Sequence, residues 1–180
     1  MTTYITLLRG INVGGKNKID MKELKTAFSA TGFSDVQTYI NSGNVIFSSD
    51  EDEAAIKTIC EAVIAKNFGL DIPVCIISAA DLRAALSCKP DWWGGDNDSK
   101  HNAIFVIPPM TTAEVLAQIG EINPECEKLD YYGNIIFWSA PVSTYSRTRL
   151  TKIVQSKVAY NAITIRNANT TFKLAELARV

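Results

Sequence analysis

Hydrophobic periodicity along the chain changes in the order strand, helix, strand, strand, helix, strand, and then passes through that order a second time. Few architectures accommodate that succession twice. In the first pass Tyr4–Arg9 is an apolar strand, and Met21, Leu24, Ala27 and Phe28 recur at helical spacing up to a stop at Gly32. Val36–Ile40 and Val45–Phe47 are strand-like and flank Asn41-Ser42-Gly43-Asn44, which has the chemistry of a turn. Acidic residues at 50–52 open a second helix with the apolar stripe Ile56, Ile59, Cys60, Val63 and Ile64, and Phe68-Gly69 closes it. Pro73–Ile77 is the next strand, and Ser78 is placed to cap a helix over about Ala79 to Leu86.

A connection rich in Pro, Gly and Asp follows over Lys89–Lys100. The second pass then begins with a strand at Ala103–Ile107. Thr111-Thr-Ala-Glu114 is a capping box opening a helix to about Ile119, and Cys126–Tyr131 and Asn134–Trp138 flank a Tyr132-Gly133 turn. Arg149–Tyr160 is helical, Ile163–Ile165 is a short strand and Thr170–Ala178 is the closing helix.

The expected fold class is α+β, with two tandem ferredoxin-like (βαββαβ) halves, each followed by an extra helix and packed as one compact unit. Residues 1–88 make the first half, 89–102 a linker, and 103–180 the second half with its C-terminal helix. The strands are apolar in continuous runs, such as Ile5–Leu8, Ala103–Ile107 and Ile135–Trp138, so both faces of each sheet should be covered. Covered faces argue against an open aromatic platform for RNA bases and place Phe47 and Phe105 in the core. The adjacent Trp92 and Trp93 are expected to plug the seam between the halves rather than to stack a ligand.

Function enters at Leu8–Met21, a glycine- and lysine-rich loop between the first strand and first helix. Gly10, four residues, Gly15 and Lys16 satisfy the P-loop spacing, but Asn17 stands where a Ser or Thr hydroxyl would hold Mg²⁺. The helix also begins only near Asp20, too late to offer its N-terminus to a phosphate, so no Walker-type hydrolysis is expected. Topology adds a second element. In a split β-α-β unit the end of the first strand and the turn between the second and third lie on one edge. The Arg9–Lys18 loop and the Asn41–Asn44 turn should therefore be neighbours.

That rim combines cations, glycine N–H groups, amides and hydroxyls. The expected ligand-binding residues are Arg9, Gly10, Asn12, Gly14, Gly15, Lys16, Lys18, Tyr39, Ser42 and Asn44, joined by Arg147 and Arg166 from the second half. The ligand class that suits them is a small phosphate-bearing or other anionic molecule, a nucleotide-like one included. Two readings compete: a nucleic-acid-binding module using the basic ends of the chain, and a non-enzymatic scaffold whose loops serve only backbone geometry.

Charge distribution bears on both. Residues 1–25 hold five cations against Asp20 and Glu23, net +3, and residues 143–180 hold seven against Glu176, net +6; the total of −1 leaves −10 for the middle. Two basic ends on an otherwise acidic chain suit an anionic partner if they meet.

Catalytic residues remain unassigned. His101 is the sole histidine and sits in a polar stretch ahead of a strand, where a surface role is expected; neither a zinc site nor a Ser-His-Asp triad is anticipated. No metal and no cofactor is called for. Cys60, Cys75, Cys88 and Cys126 lack C-x-x-C spacing and are expected to be reduced core thiols. No apolar run reaches the length of a membrane span, and the first residues lack the features of a secretory signal, so a cytoplasmic protein with no membrane partner is expected.

Three stretches carry a resemblance: Leu8-Arg-Gly-Ile-Asn-Val-Gly-Gly-Lys-Asn-Lys18, Thr38-Tyr-Ile-Asn-Ser-Gly-Asn-Val45, and Thr164-Ile-Arg-Asn-Ala-Asn-Thr170 leading into Lys173-Leu174. With Asp91-Trp92-Trp93 and Ser146-Arg147, the chain resembles the bacterial family of domains of unknown function numbered 1697 over nearly its whole length. Many members carry Trp where this chain has Ala168, so no stacking role is expected there. The resemblance implies a double α+β architecture and a cytoplasmic bacterial protein, and it implies no established reaction.

Overall fold

Asp20, Asp52 and Thr111 set the starts of three helices before any tertiary contact is considered. Asp20 Oδ1 accepts from the N–H groups of Lys22 and Glu23, Asp52 Oδ1 accepts from Ala55 N–H, and Thr111 and Glu114 bond reciprocally in a full capping box. The computed structural model describes residues 1–153 and 160–179, and the chain divides into two compact units: Met1–Arg83 with Lys173–Val180, and Ala84–Phe172.

The first unit contains β1 (Thr2–Leu8), α1 (Met21–Ser29), β2 (Ser34–Tyr39), β3 (Asn44–Ser49), α2 (Glu53–Phe68) and β4 (Val74–Ser78). Its sheet has the order β2-β3-β1-β4 and is antiparallel at every pairing, which is the ferredoxin-like arrangement. Leu24 and Phe28 of α1 and Ile56, Cys60 and Ile64 of α2 share a core with Tyr4, Leu8, Val45 and Phe47 of the sheet. Phe33 stacks on Phe47 at 4.1 Å, and Phe28 meets the same ring edge-on at 6.2 Å. Ile5, Leu7 and Ile46, on the opposite face, are also fully buried, as continuous apolar strands require. Gly69 ends α2 in the left-handed region at φ +66°, and its N–H reaches Ala65 O.

The second unit repeats the plan with β5 (Ser99–Val106), α4 (Thr112–Ile119), β6 (Lys128–Tyr132), β7 (Ile135–Pro141), α5 (Arg149–Ile153) and β8 (Ile163–Asn167), in the sheet order β6-β7-β5-β8. Ile104, Val106, Val115, Ile136, Trp138 and Leu150 are central to its core. The unit boundaries fall inside two further helices, α3 (Ala79–Ser87) and α6 (Ala168–Leu177). Of the helix expected over Arg149–Tyr160, residues 154–159 lie outside the described residues.

Two expectations are corrected. The strand expected from Ala103 begins at Ser99, so His101 lies on β5 and is buried instead of occupying a surface connection. Pairing with β7 extends to Ser99 opposite Pro141, and these backbone hydrogen bonds outweigh the low strand propensity of Ser-Lys-His-Asn. Of the four cysteines, Cys88 is exposed; Cys60, Cys75 and Cys126 are buried and all four are free. No described helix is long and apolar enough to cross a membrane.

Candidate functional site

The antiparallel order β2-β3-β1-β4 carries the end of β1 and the β2–β3 turn to the same edge of the first sheet, and hydrogen bonds join them there. Leu8 N–H donates to Gly43 O at 2.8 Å, and Asn12 Nδ2 donates to Asn41 O at 2.9 Å. Gly43 sits at φ +76°, where a Cβ would lie 2.7 Å from Leu8 Cβ and 2.9 Å from Ile11 Cδ1. Only glycine meets both the backbone angle and the close approach.

Within the loop, Val13 and Lys16 pair around a two-residue turn, with Lys16 N–H donating to Val13 O at 3.1 Å. Gly14 and Gly15 both have positive φ, +59° and +76°, as the tight turn of a two-residue hairpin demands. Asn12 itself is at φ +55° and bonds Ile19 twice, Oδ1 accepting from Ile19 N–H and Nδ2 donating to Ile19 O, each at 2.9 Å. Asn17, at φ +48°, donates through Nδ2 to Gly10 O at 3.2 Å.

These bonds revise the roles expected of two amides. Asn12 and Asn44 were expected to orient a ligand, but both Asn12 Nδ2 hydrogens are engaged within the loop and turn. Asn44 is completely buried and donates to Tyr39 O and Ser42 Oγ at 3.0 Å. A short carboxamide satisfies backbone groups as readily as ligand groups, and here the backbone claims it. Tyr39 and Ser42 are half-buried, and Arg9 is half-buried with its N–H donating to Pro73 O at 3.2 Å.

The groups that face outward are fewer. Gly10, Gly14, Gly15, Lys16 and Lys18 are exposed, and among the described residues nothing accepts from the Gly14 or Gly15 N–H and no carboxylate pairs with Lys16 or Lys18. Two apolar residues accompany them, Val13 at 65% exposure and Ile40 at 48%. Ile40 is β-branched yet has φ +48°, a conformation that costs on the order of 1–2 kcal/mol. The N-terminus of α1 is not available to an anion, because Asp20 occupies it; the Glu23 and Lys22 N–H groups hold the Asp20 carboxyl below its usual pKa. The P-loop reading therefore fails on geometry as well as on the missing hydroxyl.

Arg147 and Arg166 belong to the second unit. Arg147 is exposed in a short turn before α5, whereas Arg166 is buried on β8 and donates to Thr164 Oγ1 and Ile165 O, each at 2.9 Å. Trp93 is fully buried in that unit, edge-on to Phe137 at 4.9 Å and Phe172 at 5.3 Å, with its indole N–H donating to Asn102 O at 2.9 Å.

The second unit also holds a polar relay that sequence reasoning missed. His101 Nδ1 lies 2.5 Å from Ser139 Oγ, and His101 Nε2 lies 3.1 Å from Asp96 O and 3.5 Å from Asp96 Oδ2. His101 and Ser139 are direct partners across β5 and β7, a register that no local motif announces. The three residues border a cavity of about 130 Å³ that Trp92, Cys126 and Glu127 also line.

Residues 1–137 match the family described as "Protein of unknown function (DUF1697)", and the chain belongs to that family. The chain is also similar to a solved structure, that of the conserved bacterial protein SP0830 from Streptococcus pneumoniae. The two are 33% identical over 99% of each chain, with a TM-score of 0.88. No curated protein matches the chain.

Proposed function

We propose that this member of the DUF1697 family binds a small phosphate-bearing ligand at the rim formed by the Gly10–Lys18 loop and the Asn41–Asn44 turn. The observation that carries the reading is the Asn12 carboxamide, which hydrogen-bonds loop to turn, beside exposed Gly14 and Gly15 and two exposed lysines that no carboxylate pairs among the described residues. Donors held in place before binding lose little conformational entropy when an anion arrives. Lys16 and Lys18 supply charge-assisted hydrogen bonds, and the exposed glycine amides supply two more. Ile40 and Val13 add apolar surface for a base, ring or acyl portion of the ligand, and the strain at Ile40 is of the kind that clusters at binding sites.

The test is a thermal-shift survey of the full chain against phosphometabolites and nucleotides, followed by titration calorimetry on whatever responds. A ligand that stabilises the parent should bind about tenfold more weakly to Lys16→Ala, the loss of one charge-assisted contact. No stabilisation by any compound, with Lys16→Ala and Lys18→Ala melting like the parent, defeats the reading. Retention of oligonucleotides with steep salt dependence in place of small ligands would assign the same cations to nucleic acid.

A further inference from the structure

The geometry points to a second site, wholly within the second unit and independent of the rim: we propose that Ser139 is an activated nucleophile that takes a short-chain acyl group from an ester. Among the described residues, His101 Nε2 faces only acceptors, Asp96 O at 3.1 Å and Asp96 Oδ2 at 3.5 Å, so Nε2 carries the proton in the neutral ring. Nδ1 is then a lone pair, and the Ser139 hydroxyl 2.5 Å away donates to it. The carboxylate is itself oriented, because Asp96 Oδ1 accepts from Ser99 N–H at 2.7 Å and leaves Oδ2 toward the ring. Nucleophile, base and orienting carboxylate thus stand in the order that acyl-transfer enzymes use, with the two ring nitrogens exchanged.

Burial strengthens the arrangement. Ser139 is 5% exposed and His101 9%, yet both border the cavity of about 130 Å³, so the hydroxyl has a space beside it that holds a small acyl group. Neither the fold nor the core requires a serine and a histidine there; an apolar cross-strand pair would fill the register without a polar relay.

The step balances without any other reagent than water. Ser139 Oγ adds to the ester carbonyl carbon as its proton passes to His101 Nδ1; the C–O bond to the leaving alcohol breaks and the alcohol departs with that proton. Water then gives a proton to the same nitrogen and adds to the acyl carbon, the Oγ–C bond breaks, and Ser139 recovers the proton. Ester and water become carboxylic acid and alcohol, with no change of oxidation state. Asp96 is a positioning residue, acting only through the ring.

The full chain is incubated with p-nitrophenyl acetate, nitrophenolate release is followed, and the acetylated residue is located by peptide mass mapping. The expected result is one acetyl group on Ser139, with release falling about a hundredfold in His101→Gln. Asp96→Asn should lower the acylation rate constant and leave the half-saturating ester concentration unchanged, a split that a merely structural role would not produce. Acetyl groups confined to lysines or cysteines of the folded parent, or release unchanged in His101→Gln, overturns the proposal. Because the parent chain carries the decisive measurement, a variant that fails to fold does not obscure the outcome.

Discussion

Asn12 Nδ2 donates to Asn41 O at 2.9 Å, so one side chain spans two bends that are 29 residues apart in sequence. The same carboxamide pairs with both backbone groups of Ile19, standing in for a strand where the loop has none. Replacing it leaves those three partners unsatisfied, and Asn12→Ala also places a Cβ-bearing residue without a compensating amide at φ +55°. Urea denaturation should show a loss of about 3 kcal/mol for Asn12→Ala and about 1 kcal/mol less for Asn12→Gly, which keeps the angle but not the bonds. Equal, near-neutral values for both variants would mean that the tie contributes nothing.

The glycines of the rim are not equivalent. A Cβ at Gly43 meets Leu8 and Ile11 within 3.0 Å, whereas a Cβ at Gly14 meets nothing within 4 Å. Gly43→Ala therefore combines overpacking of buried Leu8 and Ile11 with backbone strain and should cost about 3 kcal/mol or more. Gly14→Ala carries only the strain of a left-handed turn position, about 1 kcal/mol, and Gly14→Asn less still. Thermal denaturation ranks the three, and a Gly14→Ala penalty equal to that of Gly43→Ala would contradict the geometry.

Much of this architecture is legible in the residues themselves. Thr111 and Glu114 announce a capping box, Asp52 and Gly69 bracket α2, and the repeated order of periodicities implies the strand order that brings Leu8 to Gly43. What could not be read is which way a polar group faces. Asn12 and Asn44 look alike in sequence to ligand-binding amides, and only the path of the backbone shows them closing on nearby carbonyls. His101 and Ser139 lie 38 residues apart and meet through strand register, which depends on the whole β5–β7 ladder rather than on any short motif.

Asp20 links the rim to acid stability. Bonds from the Glu23 and Lys22 N–H groups depress its pKa, so its contribution to stability is present above the ordinary carboxyl value of 3.8 and is lost as pH falls through the lower folded value. Asp20→Asn retains a capping side chain and removes the charge. Denaturation midpoints measured across the acid range should fall less steeply for Asp20→Asn than for the parent. The same variant, one negative charge poorer beside Lys18, should hold a phosphate ligand severalfold more tightly if the rim binds one. An unchanged acid slope would refute the capping account.

Cys60 and Cys88 should differ sharply in reactivity. Burial pushes the Cys60 thiol up to about 12, with a smaller opposing effect from Thr6 Oγ1, 3.7 Å from Sγ; Cys88 is exposed. At pH 8 a thiol-specific reagent should therefore modify Cys88 rapidly and reach Cys60, Cys75 and Cys126 only through unfolding. The same shift makes stability fall as pH rises from the usual 9.0 toward about 12, because the unfolded chain releases the Cys60 proton first. Cys60→Ala should remove that part of the alkaline slope, and rapid modification of Cys60 in folded protein would exclude the burial argument.

Ile40 occupies a position that its own backbone preference disfavours. Tyr39 and Asn44 pair at the end of the β2–β3 hairpin, and the bend between them puts Ile40 at φ +48° with 48% of its surface exposed. A β-branched side chain is a poor occupant of the left-handed region, and an exposed one gains no core packing in return. Asn tolerates that region and suits the turn, so Ile40→Asn should stabilise the chain by about 1 kcal/mol and raise its melting temperature by roughly 3 °C. Strained residues cluster at binding sites, so if the rim binds the proposed ligand, Ile40 is placed to give it apolar contact. Ile40→Asn should then bind any ligand found for the parent more weakly while melting higher. A variant that gains stability with affinity intact would remove Ile40 from the site, and one that loses stability would show that the bend depends on the isoleucine for packing.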